Sequence, residues 1–255
     1  MKARPTHEFA DTRYAGMLIA LFVIATWAIS LVASLHIAVA KFPALGSIAV
    51  IPWLTFLYTG LFITAHDGMH GLIAPEHKRL NHFIGALCVL LYALFSFQRL
   101  KTEHRKHHAQ PGSEKDPDYH DGEHGGFWRW YFHFMLTYVT WQQLVGMALA
   151  FNLMHHLLNI PISNLLFFWV APSLLSTLQL FYFGTYLPHR KPKGGYRNEH
   201  RAESNNFSVL WSFVTCYHFG YHWEHHEYPY VPWWRLPAVR KSQKHAASGF
   251  FESNG

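Results

Sequence analysis

The sequence predicts an all-α integral membrane protein, a single domain over residues 1–255 with its core at about 14–240. Three observations predict it. Half of the 255 residues are hydrophobic and 17% are aromatic, while only 14% are charged, against roughly 25% in an ordinary soluble domain. The apolar residues gather in runs long enough to cross a hydrocarbon core of about 30 Å, at about 1.5 Å per helical residue. The net charge of +6 is concentrated between those runs, which fits a cytoplasmic membrane face better than a nucleic-acid surface.

Residues 1–13 place Lys2, Arg4 and Arg13 ahead of the first run. Tyr14 to Ala40 carries no charge, is too long for a signal-peptide core and shows no cleavage site, so it reads as the first crossing. Lys41-Phe42-Pro43 turns the chain and Ala44 to Ala65 crosses back. Pro52 inside that span is tolerable where neighbours satisfy the carbonyl it frees. Leu80 to Leu100 poses a topological question, because a full crossing there would separate His66 and His70 from the histidines at 104–108. If these histidines converge, the stretch is interfacial or re-entrant, and Asn81, His82, Ser96 and Gln98 at its ends are compatible with that.

The segment 109–126 is rich in turn formers and acids and reads as an ordered loop. Trp128 to Leu153 is the third crossing, opening on Trp128, Trp130 and Tyr131 as an interfacial aromatic belt does. His155, His156, Asn159 and Pro161 mark the opposite turn, and Ile162 to Leu187 returns with Pro172 inside it. A basic loop (190–201), an interfacial segment from Asn206 and a tail EYPYVPWWRLP (227–237), extended by its prolines as a lid or surface anchor, complete the chain. Four crossings and one re-entrant helix result. Lysine and arginine cluster before the first crossing and around the histidine-rich segments, which places both termini and those segments on the cytoplasmic side.

Chemistry is expected at three histidine boxes, HDGMH (66–70), HRKHH (104–108) and HWEHH (222–226). Residues three and four apart share a helix face, so His66 and His70, His104, His107 and His108, and His222, His225 and His226 each aim imidazoles together. Such donors suit iron, zinc, copper or nickel. Eight of them exceed the roughly four ligands of one structural zinc, which points to two ions sharing the set. Surface histidines near a membrane would explain one box; three boxes of like spacing beside apolar runs favour metal. The Glu-x-x-His pattern of carboxylate-bridged di-iron bundles is missing.

His189, just past the last crossing, is a ninth candidate, a helix-end cap being the alternative. His218 shares a face with His222, and ligand and supporting roles both stay open. Metal-bound histidines donate their second ring nitrogen to a carboxylate or carbonyl. Asp67 and Asp116 are the preferred acids for that role, with Glu103, Asp118, Glu224 and Glu227 also close in sequence. His155 and His156 are expected to be structural or exposed. Cys88 and Cys216 read as reduced, buried thiols.

The chain carries no dinucleotide fingerprint, P-loop, cysteine cluster or C-x-x-C-H haem motif. Redox chemistry would therefore need electrons from a separate protein. Lys101, Arg105, Lys106, Arg190, Lys191 and Lys193 offer an acidic carrier a dock, although an ordinary positive-inside face explains the same charges.

The boxes resemble those of the membrane-bound histidine-box oxygenases and desaturases. Within that superfamily, LFITAHDGMHG (61–71), HRKHHAQPGSEKDPDYH (104–120), FGTYLPHR (183–190) and HFGYHWEHHEYPYVPWWRLP (218–237) resemble the bacterial beta-carotene ketolases. Gly68, where alanine is the commoner residue, is a mild departure. The resemblance implies a di-iron enzyme of the bacterial cytoplasmic membrane. It would use dioxygen as cosubstrate and external electrons, from ferredoxin or a similar donor, to oxidise the C4 and C4′ ring methylenes of beta-carotene or zeaxanthin to ketones. Two hydroxylations of one carbon followed by loss of water would give each ketone. A substrate drawn from membrane lipid implies an apolar tunnel, with Phe62, Phe95, Phe97, Phe181, Phe183 and Trp211 among the aromatics near it. A carotenoid ring hydroxylase or lipid desaturase of the same superfamily is the nearest alternative. A membrane metal transporter would need polar residues along a mid-membrane path, and the spans offer few.

Overall fold

The computed structural model describes residues 14–37, 44–120, 122 and 125–243, with backbone alone over 44–48. Lys2, Arg4, Arg13, the Lys41–Pro43 turn and both termini lie outside the described residues. Every regular element described is helical. Three helical stretches are long and apolar enough to cross a membrane, Ala15–Leu35, Ala49–His70 and Ile162–His189, and two bent helix pairs raise the number to five if each is one span.

Helix α1 (Ala15–Leu35) is uncharged and buries one stripe, Gly16, Ala20, Val23, Trp27 and Leu31, at three- and four-residue intervals. A side chain on Gly16 would lie 2.6 Å from the Ile73 carbonyl oxygen, so glycine is what allows α1 to touch the turn after the first histidine box. Helix α2 (Ala44–His70) is the central one and packs against α1, α3 and α7. It stops where its last histidine stands. Gly71 takes φ +83°, and the Gly71 and Leu72 N–H groups donate back to the Gly68 and Asp67 carbonyls at 3.1 and 2.9 Å, a Schellman termination that glycine makes possible. Asn81 then fixes this end by accepting from Ile73 N at 3.1 Å and donating to Gly68 O at 2.8 Å.

Helices α3 (Lys78–Ala93) and α4 (Phe97–Ala109) meet at 101°. Leu94, at φ +56°, ends α3, and the Ser96 hydroxyl caps α4 by accepting from Arg99 N. The straight crossing expected over Trp128 to Leu153 is instead two helices, α5 (Phe127–Tyr138) and α6 (Trp141–His156), set at 86°. Extended Val139 breaks the run, and Thr140 caps α6 by accepting from Gln143 N at 3.2 Å. The two breaks are tied together: Gln143 donates to Ala93 O at 2.6 Å and Arg99 donates to Thr137 O at 2.7 Å.

Helix α7 (Ile162–His189) contains two wide π turns, Leu166–Val170 and Tyr182–Tyr186. Each lies just ahead of a proline, Pro172 or Pro188. A proline has no N–H for the carbonyl four residues back and its ring crowds that carbonyl, so the turn widens by one residue. Beyond it come α8 (Val209–Cys216) and the short α9 (His222–Glu227). The tail expected to be extended forms a tight helical turn at Trp233–Arg235 and is helical over 236–243. Cys88 and Cys216 are free and buried, as read from the sequence.

Candidate metal centre

The three boxes sit on three helix ends. Positions 66 and 70 close α2, 104 to 108 lie in the last turns of α4, and 222 to 226 make up most of α9. On a helix, residues four apart point nearly together, whereas adjacent residues point about 100° apart. His107 and His108 therefore cannot serve one ion, and neither can His225 and His226. The expectation that boxes two and three each aim all their imidazoles together is corrected accordingly, because each box is divided between two groups. His66, His70, His104, His108 and His225 bring one nitrogen each within 4.8 Å of one another, and His107, His189, His222 and His226 do the same in a second group. All nine histidines singled out in the sequence belong to one group or the other.

The groups adjoin, the His108 and His226 rings stacking at 4.3 Å. Within them, Nε2 atoms face each other: His70 and His104 at 2.7 Å, His108 and His225 at 3.0 Å, His107 and His226 at 3.0 Å, and His189 and His222 at 2.9 Å. His189 and His107 each donate from Nδ1, to Arg201 O at 3.0 Å and to the Asp116 carboxylate at 2.9 Å. In the neutral rings their Nε2 atoms then carry the lone pairs. Both ring nitrogens of His66 and the Nδ1 atoms of His222 and His226 are buried without a hydrogen-bond partner. Lone pairs packed this way in a buried site call for a cation between them. Two nitrogens about 2.1 Å from one ion stand about 3.0 to 3.4 Å apart at octahedral to tetrahedral angles. The donor set fits a borderline transition metal in each group.

Supporting contacts fix the rings. Asp116, in the loop after α4, accepts from His107, from Gly112 N at 2.7 Å and from Asp118 N at 2.9 Å. Burial pulls its carboxyl up, but the His107 hydrogen bond and charge with the two backbone donors outweigh that and hold it below the ordinary 3.8. Burial pushes the neighbouring Asp118 up to about 6, the His107 charge opposing and the Asp116 charge adding. Asp118 accepts from the Tyr138 hydroxyl and stands 3.6 Å from His107 Nδ1. Burial, then the charges of neighbouring imidazoles, hold His222, His225 and His226 well below the ordinary 6.5. Inside α9, Glu224 accepts from Ser204 and from Arg240, the latter at 2.7 Å, and Arg240 lies over the Tyr221 ring. This fastens the third box to the tail.

Of the two acids preferred from the sequence, Asp116 hydrogen-bonds to His107. Asp67 is buried but holds no ring; its carboxylate accepts from Trp233 N at 3.3 Å and lies 3.8 Å from His66 Nδ1. His218 takes part in neither group; its ring packs against Phe213, Tyr221 and Trp233. His155 donates to Ile160 O at 2.9 Å at the far turn. Sequence reasoning missed Tyr138 and the Arg201 carbonyl. Asp118 was only one acid among several.

An apolar chamber of about 80 Å³ borders both groups, with His66, His104, His107 and His222 on its wall. Phe62, Tyr92, Phe95, Phe134, Leu180 and Phe219 supply most of the apolar remainder, and Asp118 and Tyr138 supply polar atoms. A side chain on Gly184 would overlap the Phe219 ring, so glycine in the second π turn lets that ring lie against His66 at 4.7 Å. Of the aromatics expected near a tunnel, Phe62 and Phe95 line the chamber.

Helices long and apolar enough to span a membrane thus end in two adjoining imidazole groups, each able to hold a metal ion. The sequence profile described as fatty acid desaturase matches residues 42–148 and 137–249. The chain is 42% identical over 230 residues to a zeaxanthin 4-ketolase of Chlamydomonas reinhardtii, covering 89% of this chain and 51% of that one. It is 44% identical over 199 residues to a beta-carotene ketolase of Haematococcus lacustris, covering 76% and 62%. A beta-carotene ketolase of a Paracoccus species is 40% identical over 233 residues, covering 91% and 94%. The chain thus spans about half to two thirds of the algal relatives and nearly all of the bacterial one. It belongs to the fatty acid desaturase family and, within it, to the carotenoid ketolases.

Proposed function

We propose that the protein is a carotenoid 4-ketolase that oxidises the C4 and C4′ ring methylenes of beta-carotene or zeaxanthin to ketones. One observation carries the reading: both imidazole groups open on a single apolar chamber. The names of the relatives, beta-carotene ketolase and zeaxanthin 4-ketolase, supply the substrate class.

Each hydroxylation consumes one dioxygen, two electrons and two protons and releases one water; the geminal diol left after the second loses a further water to become the ketone. Two non-haem irons, held by the five- and four-histidine groups, would supply the oxidising power. The chain's own part is to bind, orient and dry the ring. Phe134, Tyr92 and Phe219 hold it beside His66 and His222, a restriction of approach that lowers the entropic share of the barrier. The apolar wall keeps out water that would quench the oxidant. Asp116 keeps Nδ1 of His107 protonated and its Nε2 free for metal. Electrons come from an external carrier of the ferredoxin type.

The same reading takes the chain as one domain over 1–255, with four crossings, a re-entrant α3–α4 pair and the centre on the cytoplasmic side of a bacterial inner membrane. The 101° bend and the meeting of box one with box two support the re-entrant pair. The test is product analysis of the purified, iron-loaded protein supplied with beta-carotene, dioxygen and reduced ferredoxin. The 4-ketone is expected; a ring hydroxylated without going on to ketone, or an acyl double bond, would assign the protein to another activity.

A further inference from the structure

A second apolar cavity, of about 480 Å³, lies outside the chamber between the end of α3, α6 and α7. Tyr92, Phe95, Met135 and Thr177 line both spaces, so the two meet at a shared waist. Beyond it the wall is built from Met147, Ala148 and Phe151 of α6 and Leu166, Trp169 and Leu174 of α7. Leu166 and Leu174 are 46% and 52% exposed, so the cavity opens along the apolar flank that these helices turn to lipid. It exists because α6 leaves α5 at 86°, an angle held by the Thr140 cap and by Gln143 on the Ala93 carbonyl.

We propose that this outer cavity binds the non-reacting half of a long, rigid polyene while one of its end rings occupies the chamber beside the histidines. The proposal rests on the function above and deepens it. A conjugated chain cannot fold back, so the part that the chamber does not enclose needs a straight apolar way out. A third space also touches the chamber, at Phe95, Leu100 and Tyr138, but Ser96, Arg99, Thr140 and Gln142 line it, and burying hydrocarbon there would strip water from charged and polar groups without replacing it. The outer cavity offers instead the flat faces of Tyr92, Phe95, Phe151 and Trp169. These suit a planar conjugated rod; a phospholipid acyl chain, which is flexible, has no need of them.

The full-length iron-loaded protein in phospholipid nanodiscs tests this with beta-carotene against beta-ionone, which carries the same ring on a short side chain. Ala148→Trp and Leu174→Trp fill the outer cavity from opposite walls at positions already facing lipid. Each should lower the ratio of kcat/KM for beta-carotene to that for beta-ionone at least tenfold. Leu149→Trp, one residue away at a 60% exposed position off the cavity wall, should keep the ratio. In metal-free protein, the circular dichroism induced in bound beta-carotene should weaken in the first two variants and persist in the third. An unchanged ratio with unchanged dichroism overturns the proposal. So does loss of co-purified phospholipid from the Ala148 and Leu174 variants while beta-carotene binding holds. A wild-type protein that oxidises neither compound would overturn the ketolase reading instead, and the dichroism would still decide the binding site.

Discussion

Replacing Asp116 by asparagine removes one charge and almost no volume, and its cost can be worked from the contacts. Both carboxylate oxygens accept backbone donors, Oδ1 from Asp118 N and Oδ2 from Gly112 N, and both stand within 3.0 Å of His107 Nδ1. Whichever way an amide is turned, its NH2 meets a buried N–H. One charge-assisted hydrogen bond is lost, about 1.5–3 kcal/mol. A ring left without its carboxylate typically gives up 10- to 100-fold in metal affinity, about 1.4–2.7 kcal/mol. His107 belongs to the four-histidine group, and no member of the five-histidine group bonds to Asp116. The loss should therefore fall on one ion. In a chelator titration of Asp116→Asn followed by metal analysis, one ion should leave at a 10- to 100-fold lower chelator concentration than in the wild type, and the other should stay. Equal weakening of both ions, or of neither, would refute the division into two groups and the role given to Asp116.

His107→Ala and His225→Ala take one ligand from each group and should abolish ketone formation in a turnover assay, whereas His155→Ala, at the far turn, should keep it. Gly184→Ala must push the Phe219 ring off its seat, at a cost of about 1–3 kcal/mol visible as a lower Tm. Gly68→Ala meets the movable Ile73 Cδ1 at 3.0 Å, the Gly85 Cα at 3.3 Å and Phe97 Cζ at an ordinary 3.5 Å, so it should shift Tm far less; equal shifts would contradict the packing described. In metal-free protein, His222, His225 and His226 titrate well below the unfolded value of 6.5. The unfolded chain then binds more protons as pH falls, so the stability these rings carry is present above about 6.5 and is lost below it. Thermal unfolding should show Tm falling from about pH 7 to pH 5, and a flat profile would mean the rings are not buried together.

The convergence of the box histidines was legible because its signal is local. The i, i+4 pairs 66/70, 104/108 and 222/226 need only helical periodicity, whereas the division of 107 from 108 and of 225 from 226 went unread, although the same 100° step produces it. That box one and box two meet although α3 and the start of α4 lie between them was the requirement that singled out this stretch in the sequence, and the chain bends there by 101°. The break at Val139 was not legible, because an apolar run hides it, although Thr140-x-x-Gln143 matches the start signal of a helix. That the Asp67 carboxylate accepts from Trp233 N while lying 3.8 Å from His66 Nδ1 depends on how the tail returns over α2, which its neighbours in sequence do not show. The partnership of His189 with the Arg201 carbonyl depends on how a 12-residue loop folds back, which no local pattern announces. The π turn before Pro188 was visible only as a proline.

The most direct test of the account is the metal content and ligation of the intact protein as purified from membranes. Iron analysis with X-ray absorption should find two irons per chain, each bound by light atoms with an imidazole scattering pattern and no sulfur. One iron per chain, or a site that fills with zinc and refuses iron, would contradict the two-ion centre on which the proposed oxidation depends.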